Sequence, residues 1–65
     1  MSAKFLLLTL PRWVGFQLEE EGKQETRQFK TIAEALAYAR TLPGAEGAPF
    51  VVLDEQGQRM AELTV

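Results

Sequence analysis

Cysteine and histidine are both missing from this chain of 65 residues. The first absence removes disulfides and a thiolate nucleophile. The second removes the commonest general base and, with the first, the common zinc ligand sets. Basic residues are few and scattered: seven stand against nine acidic residues, for a net charge of −2. A protein that works on phosphate backbones carries a basic excess or a basic stripe, so nucleic-acid binding is disfavoured. Long apolar runs are lacking as well. Phe5-Leu6-Leu7-Leu8 is broken at Thr9 and ends at Pro11-Arg12, too short for the apolar core of a secretion signal and with no small-residue cleavage site behind it. No stretch reaches the length of a membrane-crossing helix, and the cytoplasm is the expected location.

What is present is enough for one small folded domain, residues 1–65. Hydrophobic residues make up 46% and charged residues 25%, the balance of a packed protein rather than a disordered one. A domain of this size buries only about 60% of its unfolded surface. With disulfides and the usual zinc sites gone, self-association is the remaining common route to added stability.

The organising stretch is Phe29–Gly44. Thr31 followed by Glu34 is a capping box that opens a helix, and Pro43-Gly44 closes it. Ile32, Ala35, Leu36, Ala39 and Leu42 fall on one helical face. The flanks read as strands. Residues 4–10 form the first, with Leu6, Leu8 and Leu10 on one side and Phe5, Leu7 and Thr9 on the other. Trp13–Glu20 form the second, directing Val14, Phe16 and Leu18 one way, with Gly15 marking a bulge or close approach. A polar third strand spans about 24–30 beyond a turn at Gly22. After the helix, Phe50–Leu53 reads as a buried strand, Asp54–Gly57 as a turn, and Arg59–Val65 as the last strand. The order is β-β-β-α-β-β: an α+β domain with one antiparallel-rich sheet of about five strands and a helix on one face.

One helix covers one side of such a sheet. With Leu6, Leu8, Val14, Phe16, Leu18, Phe29 and Leu63 placed beneath it, Phe5, Leu7, Trp13 and Met60 are expected on the open side as an apolar interaction face. Arg12 beside Trp13 adds an anchor of the residue types that dominate interface energetics.

The run Trp13…Gly22…Phe29-x-Thr31-x-x-Glu34-Ala35-x-x-x-Ala39…Gly47…Val51-Val52-x-Asp54-x-x-Gly57 resembles a family of small bacterial domains of unknown function. Those domains share a Trp-bearing strand, a Thr-x-x-Glu-Ala helix start and a closing hairpin. The chain departs from that pattern at Gly15, where a larger apolar residue is usual. The first two-thirds also resembles the sheet-plus-helix core of HicB-type antitoxins, and their appended DNA-binding segment is not expected here. Both resemblances imply architecture and no activity.

Motifs that could carry chemistry have plainer readings. Glu19-Glu20-Glu21 is a solvated hairpin tip, Asp54-Glu55 lacks the further oxygen ligands of a calcium loop, and Gly44-x-x-Gly47 neither follows a strand nor opens a helix as a phosphate loop does. No catalytic residue, metal, cofactor or small-molecule substrate is expected. The sequence points to a non-enzymatic protein-interaction module, binding a protein partner or pairing with itself as a homodimer through the open sheet face. Two other classes are a nucleic-acid-associated regulatory protein using Arg12, Arg27 and Lys30, and a small acidic phage-type inhibitor that masks a basic host surface.

Overall fold

Thr31 has extended backbone dihedrals, and its hydroxyl oxygen accepts from the Glu34 backbone N–H at 3.1 Å. That bond satisfies one of the donors a helix start leaves free. It opens helix α1 (Ile32–Arg40) in the computed structural model, which describes residues 4–65 apart from the Trp13 side chain. Gly44, at φ 77°, turns the chain after the helix as its lack of a Cβ allows.

Five strands complete the α+β fold: β1 (Phe5–Thr9), β2 (Phe16–Glu20), β3 (Thr26–Phe29), β4 (Pro49–Leu53) and β5 (Arg59–Thr64). They form one sheet in the order β3-β2-β1-β4-β5. It is mostly antiparallel, and its central pair, β1 with β4, is parallel. Among the described residues, no helix is long and apolar enough to cross a membrane.

The second strand is shorter than its alternation predicts. Pro11–Trp13 form a turn of 3₁₀ helix in which Arg12 takes a left-handed conformation, φ 62°. Val14 lies outside the strand and is exposed rather than covered by the helix. A proline at the first helical position is preorganised for such a turn, and the Arg12 backbone N–H donates to Glu55 Oε1 at 2.8 Å. The two loops at this end of the sheet are thereby joined.

Register decides which side of β1 meets the helix, and it reverses the sequence-based expectation. Each odd-numbered residue of β1 lies opposite an even-numbered residue of β2, Leu7 against Leu18 and Thr9 against Phe16. Residues directly opposite in an antiparallel pair share a face. The apolar side of β2 therefore carries Phe5, Leu7 and Thr9 to the helix. Phe5 and Leu7 are fully buried in one core with Leu18, Ala35, Ala39, Phe50 and Val52. Thr9 joins them at little cost because its hydroxyl donates to the Leu53 carbonyl at 2.8 Å. Helix α1 packs over β1, β2 and β3, while Ala45 and Ala48 of the following loop are also in the core.

Candidate interaction surface

The same register leaves Leu6 and Leu8 on the opposite side of the sheet. Leu6 lies beside Val51 and Leu8 beside Leu53 in the parallel ladder, so the four form an apolar stripe down the middle of that side. Leu6, Leu8 and Leu53 are half-buried. The bulge at Val52/Leu53 adds Met60 on β5, which is 48% exposed. No helix among the described residues lies over this face.

Polar side chains flank the stripe. On one side are Gln17 and Glu19 of β2, joined by a 3.2 Å hydrogen bond from Gln17 Nε2 to Glu19 Oε2, with Thr26 and Gln28 opposite them on β3. On the other side Arg59 and Glu62 of β5 make an exposed ion pair at 3.0 Å. An apolar centre with a polar rim is the usual layout of a protein contact surface.

The residues expected on this face divide. Phe5 and Leu7 are not on it: both have zero exposure and pack beneath the helix. The physical reason is the register with Leu18, together with the tilted packing of the Phe5 and Phe50 rings, 6.2 Å between centroids. Met60 is on the open side. Arg12 is exposed in the turn beside Glu55, away from the stripe's centre. The Trp13 side chain lies outside the described residues. Leu63, expected beneath the helix, is 36% exposed; α1 packs mainly over β1, β2 and β3.

Leu6, Leu8 and Leu53 are the members that sequence reading missed. A signal for them exists in β2, where Gln17 and Glu19 mark the polar side and their cross-strand partners are Leu8 and Leu6. Among the basic residues, the Arg27 guanidinium sits over the Tyr38 ring at 4.9 Å on the helix side. Arg12, at the loop junction, is occupied differently. The two have separate neighbours rather than forming a basic stripe.

No protein-family model, no curated protein and no solved structure matches the chain.

Proposed function

We propose that the chain is a non-enzymatic protein-interaction module that binds another protein through the open face of its sheet. The stripe of Leu6, Leu8, Leu53 and Met60, partly exposed on a face that no helix among the described residues covers, carries this reading. Three of the four are half-buried, which leaves apolar area to be buried on binding. The sequence supports the non-enzymatic part, since it offers neither histidine nor cysteine for acid–base or nucleophilic work.

Leu8→Glu tests it. Leu8 is central in the stripe and half-buried, so a glutamate reaches water with a small effect on folding. The variant is expected to keep the wild-type circular dichroism spectrum while losing a partner that the wild-type chain captures from its native host. A partner held equally well by a folded Leu8→Glu chain would move the binding surface elsewhere.

A further inference from the structure

Strand β5 is the longest in the sheet and lies at its edge, and all six of its residues are exposed. Edge strands are normally kept short, charged or covered, because their free N–H and C=O groups invite another strand. The opposite edge, β3, is shorter, with four residues, polar except for Phe29. On β5 the direction of the backbone groups can be read. Val65 donates to Ala48 and accepts from Gly47, so its groups point inward, as do those of Leu63 and Ala61 by alternation. Pro49, opposite Thr64, has no N–H to offer, which agrees. Met60, Glu62 and Thr64 therefore turn their backbone groups outward.

We propose that this edge pairs with β5 of a second copy, antiparallel, with Ala61 on the two-fold axis. In that register Met60 and Glu62 of each copy exchange backbone hydrogen bonds with Glu62 and Met60 of the other, four in all. Ala61 meets its equivalent as a non-hydrogen-bonded pair, the closest kind of approach, with Cα atoms about 4.5 Å apart; its small side chain fits there. Charge favours this register over those centred on Glu62 and on Leu63. The bulge holds Arg59 on the open side with Glu62, and across the seam each Arg59 lies one residue off the position opposite the other copy's Glu62, within reach of a long side chain. Centring on Glu62 instead sets two carboxylates face to face, which is repulsive. Centring on Leu63 carries each Arg59 away from the opposite carboxylate.

A two-fold normal to the sheet keeps both open faces on the same side of a continuous ten-stranded sheet. The pairing does not use the stripe and goes beyond the partner-binding reading. Leu8→Glu is therefore expected to dimerise like the wild type, so the two proposals fail separately.

The test is sedimentation of the full chain at high micromolar concentration, with edge variants and a cross-link. The wild type is expected at twice the 7.3 kDa chain mass. Glu62→Pro removes an outward N–H that β4 does not use, so it is expected to give a folded monomer. Arg59→Glu is expected to weaken pairing about tenfold, through like charges acting twice per dimer, and Arg59→Glu with Glu62→Arg to restore it. The chain has no native cysteine, so Ala61→Cys carries a single thiol. Its Cα spacing across the axis suits a disulfide, and it is expected to cross-link on mild oxidation faster than Gln28→Cys on the other edge or Leu63→Cys. A wild type that stays at 7.3 kDa, a double swap that fails to restore pairing, or cross-linking no faster at Ala61 would overturn the proposal.

Discussion

Leu7→Glu is expected to leave the chain unfolded at every temperature in the absence of stabilising cosolvent. Leu7 has zero exposure and sits between Leu18 of β2 and Val52 of β4 in the core that the helix closes. Losing a buried leucine costs about 2–5 kcal/mol. A carboxylate in its place meets no buried cation among the described residues, and its desolvation or forced protonation adds several kcal/mol. A domain of 65 residues has only about 3–10 kcal/mol of stability in total, at 0.05–0.15 kcal/mol per residue. The loss is therefore of the same size as the whole. Far-UV circular dichroism and the dispersion of the amide NMR spectrum read the outcome. A folded Leu7→Glu chain with the wild-type melting curve would put Leu7 on the open side and the stripe beneath the helix.

Gly15→Ala is the second large effect. Gly15 sits at the entry to β2 with φ 139°, a conformation that residues with a side chain rarely adopt. Its carbonyl accepts from the Leu10 N–H at 2.9 Å, which closes the loop between β1 and β2. A methyl group there would lie 2.7 Å from the Phe29 carbonyl oxygen, and that oxygen belongs to backbone that cannot swing away as a side chain would. Relief requires β3 to move off β2. Backbone strain of about 1–3 kcal/mol and overpacking of similar size combine to an expected loss of about 2–6 kcal/mol in chemical denaturation. A loss of a few tenths would mean that the loop has a second, unstrained path into β2.

Features set by neighbouring residues were legible in the sequence. The Thr31–Glu34 start and Pro43-Gly44 stop bound the helix within a few positions, because the bonds that cap it span only one turn. The hairpin at Asp54–Gly57 was legible for the same reason: Asp54 Oδ1 accepts from the Gln56 and Gln58 N–H groups, at 2.9 and 2.8 Å.

The side of β1 that faces the helix was not legible. Four apolar residues in succession give period-two reading no contrast, and the side with three leucines looked the more apolar. What reversed the choice lies far away in the chain: the Leu53 carbonyl that satisfies Thr9 is 44 residues distant. Trp13-Val14 misled similarly. Their apolar character extended the alternation of β2, whereas the left-handed Arg12 that breaks it is held by Glu55, 43 residues on. The candidate surface inherits both errors. Met60 could be placed on the open side from its own strand, but Leu6, Leu8 and Leu53 needed the register of three strands at once.

The side of β1 that α1 covers determines which residues remain for a partner, and one NMR measurement reads it directly. In isotope-labelled wild-type chain, nuclear Overhauser contacts from the methyl groups of Ala35 and Ala39 identify what lies beneath the helix. The expected contacts run to Phe5, Leu7 and Leu18, while Leu6 and Leu8 show contacts to their sheet neighbours Val51, Leu53, Glu19 and Gln17 and none to the helix. Contacts from Ala35 or Ala39 to Leu6 and Leu8, with Phe5 and Leu7 free of the helix, would contradict the assignment of the open face and the function built on it.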